Sequence, residues 1–229
     1  MSKTFLFAGA SSSIAQQTAK YMQSKGHKII GLSTKDKNYD YDEFYKIEKY
    51  DFGTFPEIGA PLNGAAYFAG SINLKPFNRL NVADFKNDYE INTLGAVAFT
   101  QAYLNNLKKI EQSSLVFIST VAVHLGLPFH ASISMAKGAI EGLTKALAAE
   151  FAPTIRVNCV APSLVNSPLG EKLINTPEKM EAMQKRNPLK KVGTPEEVAN
   201  VISFLLSDKA SWITGQILAV DGGMGTLKV

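Results

Sequence analysis

Residues 4–24 read TFLFAGASSSIAQQTAKYMQS, and this stretch sets the architecture. Thr4 to Ala8 is an apolar run too brief for a helix, so it reads as a buried strand. The loop GASSS follows, and from about Ile14 to Ser24 the pattern is helical until Gly26 stops it. A glycine-bearing turn between a strand and a helix is where an open α/β sheet takes a pyrophosphate, because the helix start presents unpaired N–H groups. Gly9 permits the tight turn, Ser11, Ser12 and Ser13 offer hydroxyl donors, and backbone N–H groups near Ile14 point at the phosphate. A lone glycine after a strand is more often only a turn, so the strand–loop–helix context carries the reading.

The same alternation continues outward. HKIIGLS is a second strand, EKYDF a third, GAAYFAG a fourth, SLVFIS a fifth, IRVNCVAP a sixth and QILAVDG a seventh. Between the third and fourth lies FGTFPEIGAPLN, too rich in Gly and Pro for a long helix. Helical segments are expected at about Val82 to Asp88, Asn92 to Lys109 and Ser132 to Phe151, then in the run PLGEKLINTPEKMEAMQKR. TPEEVANVISFLLS adds another, with a Thr cap, Pro at the first helical position and Glu close behind. Apolar strands alternating with helices specify a three-layer, Rossmann-like doubly wound parallel sheet of about seven strands. With no repeat or linker, residues 1–229 form a single domain.

Composition narrows the function. A 45% hydrophobic and 19% charged chain is ordinary for a globular protein, and a net charge of +4 from scattered basic residues describes a solvated surface. Neither nucleic acid nor membrane is expected as a partner. The single cysteine, Cys159, has no partner for a disulfide and no metal-spaced neighbours, so a packed thiol and no metal site are expected. Without a basic leader or a bilayer-length apolar run, the expected setting is cytoplasmic.

Two further stretches bear on chemistry. At the end of the second strand an acidic residue would grip the ribose of NAD, whereas hydroxyl or basic groups accommodate the phosphate of NADP. Ser33, Thr34 and Lys35 stand there, with Asp36 only after them, which favours NADP over NAD. Farther on, Ser119 to Gly138 reads STVAVHLGLPFHASISMAKG and leads from a buried strand through a loop into a long helix. Position 133 lies one turn before Lys137 on the same face, where a proton donor above a lysine would belong. Position 133 is isoleucine.

These residues resemble the short-chain dehydrogenases/reductases over nearly the whole chain, particularly the beta-ketoacyl-carrier-protein reductase subgroup. IRVNCVAPSLVNSPL looks like the family's sixth strand and substrate loop, and residues 187–224, NPLKKVGTPEEVANVISFLLSDKASWITGQILAVDGGM, follow its end-of-chain pattern. Asp51, with Phe52 beside it, matches the adenine-contacting Asp. Ala69-Gly70 matches part of the Asn-Asn-Ala-Gly motif, and Asn92 the helical active-site Asn. The resemblance implies hydride transfer between a nicotinamide and a small carbonyl or alcohol substrate. In that chemistry a tyrosine donates the proton, a serine holds it, and a lysine lowers its pKa and holds the nicotinamide ribose. It also implies Pro162 at the cofactor, and a homodimer or homotetramer.

Carried over by position, Asn92 and Lys137 are present and Thr120 keeps the serine's hydroxyl, but Ile133 stands at the tyrosine's position. The Gly-x-x-x-Gly-x-Gly loop reads Gly9, Ser13, Ala15, Tyr67-Phe68 replaces the Asn pair, and Ser163 replaces a Gly. The crossover before the fourth strand is shortened, so loop instead of helix should cover the sheet there. His130, His124, Ser134 and Tyr67 are the substitute donors to weigh, each with an ordinary loop or packing role beside it. A poor or altered reductase is expected. A non-catalytic dinucleotide-binding sensor or partner protein on the same fold is the alternative, and Trp212 is expected in core or interface packing.

Overall fold

The computed structural model describes residues 2–36 and 39–228. Among these, the strands β1 (Thr4–Ala8), β2 (Lys28–Ser33), β3 (Glu43–Lys46), β4 (Gly64–Tyr67), β5 (Ser113–Ile118), β6 (Ile155–Pro162) and β7 (Ile217–Val220) form one sheet. Its order is β3-β2-β1-β4-β5-β6-β7. Every pairing is parallel. The chain winds outward from β1 to β3, then returns to pair β4 beside β1. This reversal opens a crevice beyond the carboxyl ends of β1 and β4, where doubly wound sheets bind ligands.

Period-two alternation sends β1 side chains to opposite faces. Phe5 and Phe7 pack with Ala19 and Met22 of α1 (Ser13–Ser24) and with Ile202 and Leu205, which lie far along the chain. Leu6 and Ala8 join the other layer with Leu115, Phe117, Phe99 and Ile140. Burying each such large apolar side chain contributes about 1.5–3 kcal/mol, so the two layers hold the sheet ends in fixed register.

The third strand is Glu43–Lys46, and Glu48 to Phe52, expected as that strand, is a bend. EFYK carries charged and aromatic residues because it is an edge: Glu43 pairs with Lys28 at 2.5 Å, and its neighbours are only half-buried. Among the described residues no helix links β2 to β3 or β3 to β4. Tyr41 takes the first helix's place, with its ring against Gly31, where a Cβ would lie 2.9 Å from the ring, and its hydroxyl on the Ala10 carbonyl at 2.9 Å. The expected loop cover is present on the second crossover, where Ile58 and Leu62 are buried and Phe55 stacks edge-on to Phe99 and Tyr103.

The helix expected to begin at Asn92 is one continuous helical rod with a π-helical turn inside it. α2 (Val82–Tyr89), opened by an Asn81–Asp84 capping box, runs into π-helical Glu90–Leu94, then into α3 (Gly95–Lys108). Such turns free a carbonyl from the regular ladder and recur at functional sites. Here Tyr67 donates its hydroxyl to the Ile91 carbonyl at 2.7 Å. After β5 the chain makes a short helix, α4 (Ala122–Leu125), which ends on Gly126 at φ 63°. The long α5 (Ala131–Phe151), then α6 (Pro177–Arg186) and α7 (Pro195–Leu206) complete the layers. The Thr194–Glu197 capping box and Pro195 open α7 as the sequence pattern specifies.

Candidate active site

A cavity of about 960 Å³ occupies the crevice. Gly9, Ser11, Ser12, Ser13, Ile14 and Thr34 line one end, and Asn92, Thr120, Ile133 and Lys137 the other, with Ala69, Gly70 and Pro162 also lining it. At the first end Gly9 holds φ 78°, and a Cβ there would lie 2.3 Å from the Ala69 nitrogen. The absence of a side chain is what lets the loop lie against Phe68 and Ala69, just past the end of β4. Ser12, at the N-cap of α1, makes no side-chain cap. The first-turn N–H groups are therefore open to an anion, and this cradle fits a dinucleotide pyrophosphate.

At the second end the rod and α5 converge. Lys137 is buried and donates from Nζ to the Ile118 carbonyl at 2.8 Å. Desolvation pushes its ammonium down to about 8, opposed by Cys159 and then Asp88. Asn92 donates from Nδ2 to Ser71 Oγ at 2.9 Å and to the Asp88 carbonyl at 2.8 Å, while its Oδ1 accepts from the Ser71 N–H at 3.3 Å. Gly70 separates these groups: a Cβ there would lie 2.8 Å from Asn92 Oδ1 and 3.4 Å from Lys137 Nζ. Glycine thus lets the amide and the ammonium face the same small volume. Thr120 Oγ1 accepts from the Ala122 N–H at 3.3 Å.

Ile133 is 3% exposed and lines the cavity one helical turn before Lys137. Among the described residues that line the cavity the one tyrosine is Tyr50, which bonds Ser33 and Thr34 at the other end. Tyr67, weighed as a substitute, is turned into the α3–α5 core, where it stacks on Tyr50 and Phe99 and binds Ile91. Burial raises its hydroxyl pKa well above the usual range. Ser134 donates to the Ala122 carbonyl at 3.2 Å, and His124 meets the buried Glu141 at 2.7 Å; neither lines the cavity. His130 does, but its Nδ1 lies 2.6 Å from the Pro128 carbonyl. That acceptor requires a proton on Nδ1, which is directed at the Pro128 carbonyl and away from the cavity's reacting end.

Two expected cofactor contacts lie elsewhere. Asp51 is held by Lys49 at 2.6 Å and by the Phe52 N–H, and Phe52 borders a separate hollow against α3. In their stead Glu48, Lys49 and Tyr50 line the cavity. The displacement follows from the bend: with β3 ending at Lys46, the chain reaches Asp51 already turned outward. Sequence reasoning also missed the buried Asp88, which accepts from Ser71 Oγ and from Ser132 Oγ at 2.6 Å each. Its signal was a carboxylate one helical turn before Asn92. Cys159 is buried as expected, its thiol pushed up to about 12 by burial. No cluster able to hold a metal occurs among the described residues, and no helix among them is long and apolar enough to cross a membrane.

Comparison with known proteins places this geometry. A family model described as enoyl-(acyl carrier protein) reductase matches residues 54–225. The 3-oxoacyl-acyl-carrier-protein reductase of Thermotoga maritima is 30% identical across 97% of each chain. A tropinone reductase homolog of Arabidopsis thaliana is 36% identical over 73% of this chain, which spans just 55% of that relative. Ligand-free aldohexose dehydrogenase of Thermoplasma acidophilum superposes with a TM-score of 0.91 at 25% identity, covering 99% of this chain and 95% of that one. Those matches, together with the seven-stranded parallel sheet and its crevice, make this chain a member of the short-chain dehydrogenase/reductase family of oxidoreductases.

Proposed function

We propose that the protein is an NADP-dependent oxidoreductase for a small carbonyl or alcohol substrate, with proton chemistry altered by Ile133. The observation that carries this reading is the meeting of Asn92 and Lys137 across Gly70, in the same cavity as the open cradle at Gly9. When bound, the nicotinamide supplies or accepts the hydride. The chain's own parts do the rest: the first turn of α1 holds phosphate, Lys137 holds a ribose hydroxyl, Thr120 orients the substrate oxygen, and Asn92 holds Ser71 in place beside it. Orientation of this kind supports hydride transfer even where acid catalysis is weak.

Charge at the adenosine end supports NADP. Thr34, Lys35 and Lys49 line the cavity there, whereas Asp36 is engaged by Lys46 at 2.9 Å and Asp51 by Lys49. Glu48 is the one carboxylate among these lining residues. In calorimetry NADPH is expected to bind about tenfold or more tighter than NADH, a difference of about 1.4 kcal/mol. Thr34→Asp, which sets an anion against the phosphate, is expected to reverse that order. Failure of both dinucleotides to bind would end the oxidoreductase reading. Turnover on a panel of ketones, aldehydes and thioester-linked ketoacids then separates an enzyme from a sensor.

A homodimer or homotetramer is part of the same proposal. Trp212 is 99% exposed, which corrects the core alternative and leaves the indole for an interface. Phe77 and Met135 are exposed as well. A single unpaired, buried cysteine suits a cytoplasmic setting. A monomer in size-exclusion chromatography would refute the assembly.

A further inference from the structure

The groups left around Ile133 point to where the reaction's proton comes from, an inference that rests on the oxidoreductase reading above. A carbonyl oxygen that receives electrons as hydride arrives must gain a proton, and isoleucine has none to give. The polar side chains lining the cavity include Ser71, Asn92, Thr120, His130 and Lys137. The first four are poor sources. Ser71 directs its hydroxyl proton to Asp88 and accepts from Asn92, while Asn92 commits its amide protons to Ser71 and the Asp88 carbonyl. Thr120 is an aliphatic alcohol, far too weak an acid alone. His130 has its proton turned to Pro128. Lys137 differs, because an ammonium has three N–H donors and the Ile118 carbonyl takes one.

We propose that Lys137 itself delivers the proton to the substrate oxygen, directly or across one water held among Ser71, Asn92 and Thr120. In reduction, hydride from the reduced dinucleotide forms the new C–H bond and the carbonyl π pair moves to oxygen. That oxygen forms its O–H bond as an Nζ–H bond breaks. The lysine is left neutral, and solvent at the cavity mouth reprotonates it. In alcohol oxidation each transfer reverses, and neutral Lys137 accepts.

Burial supports this role, since an ammonium pushed down to about 8 is close to the acidity at which a general acid works best near neutral pH. The titratable groups facing Lys137 are Cys159 from β6 and Asp88 from α2. Glu141, one turn along α5, is engaged by Ser119 Oγ at 2.7 Å and by His124. Cys159 and then Asp88 oppose the downward push of burial on the lysine.

The sign of the pH dependence follows. Carbonyl reduction needs the ammonium, so kcat/KM at saturating NADPH is expected to be level below about pH 8 and to fall with one-proton slope above it. Lys137→Ala is expected to lose about 100-fold or more. Small primary amines of graded basicity, such as ethylamine and trifluoroethylamine, should restore turnover in step with their pKa. In the free protein, NMR of lysine Nζ, assigned with Lys137→Arg, should show one resonance titrating near pH 8. If Lys137→Arg keeps the wild-type pH profile, or rescue ignores amine basicity, the lysine only holds ribose and the donor assignment falls. If the wild type binds no NADPH, the oxidoreductase reading falls as well, and calorimetry tells the two failures apart.

Discussion

Ile133→Tyr is expected to raise NADPH-dependent ketone reduction about tenfold or more, within the 10²–10⁴-fold that a positioned general acid supplies. The site can receive the ring. Ile133 is buried but lines the cavity, so the larger side chain has that space to extend into. Helical spacing puts the new hydroxyl on the face of Lys137, whose ammonium favours the phenolate and so lowers the cost of releasing the proton. The gain should appear in kcat, because the phenol bonds the substrate oxygen most strongly as charge develops there. The alkaline fall in rate should no longer follow Lys137 alone. A variant that binds NADPH as before but gains no turnover would show that the reacting carbonyl is not held beside α5.

How much of this was readable beforehand depended on how local each determinant is. Strand β1, the loop after it and α1 are adjacent in sequence, and a short apolar run, a glycine and a helical period suffice to specify them. The α7 cap is equally local, with Thr194, Pro195 and Glu197 inside one turn. The third strand failed because its residues, Glu43 to Lys46, owe their extended form to pairing with Ile30 through Ser33 and not to an apolar pattern of their own. Asn92, Thr120, Ile133 and Lys137, matched by position, line one cavity, since the end of β5, α5 and the rod converge there. Asp51 does not line that cavity, the chain having bent after β3 ends at Lys46. Tyr67 stood open between a donor and a packing role, because a strand's last residue can face either layer, and its hydrogen bond to Ile91 gives the packing one.

Gly95→Ala is expected to be strongly destabilising, and it tests how the π-helical turn is held. A Cβ at this position would lie 2.2 Å from Tyr67 Oη, 2.9 Å from the Tyr50 carbonyl oxygen and 3.1 Å from Tyr50 Cβ. Tyr67 cannot simply swing aside, because its ring is fixed between Tyr50 and Phe99. Overpacking costs about 1–3 kcal/mol, and losing the Tyr67 bond to the Ile91 carbonyl costs about 1–3 kcal/mol more. Alanine's better helix propensity returns about 1 kcal/mol. A net loss of about 3 kcal/mol lowers Tm by roughly 6–12 °C in a domain of this size. Asn92 sits inside the strained turn, so turnover should fall alongside stability. Tyr67→Phe separates clash from lost bond. Alone it should destabilise, by exposing no partner to the Ile91 carbonyl, yet on the Gly95→Ala background it should cost much less or stabilise, because the colliding oxygen is gone. The double-mutant cycle is therefore expected to show coupling of at least about 1 kcal/mol. Simple additivity would mean that the turn is set by α2 and α3 without Tyr67, and that the tyrosine merely fills space beneath it.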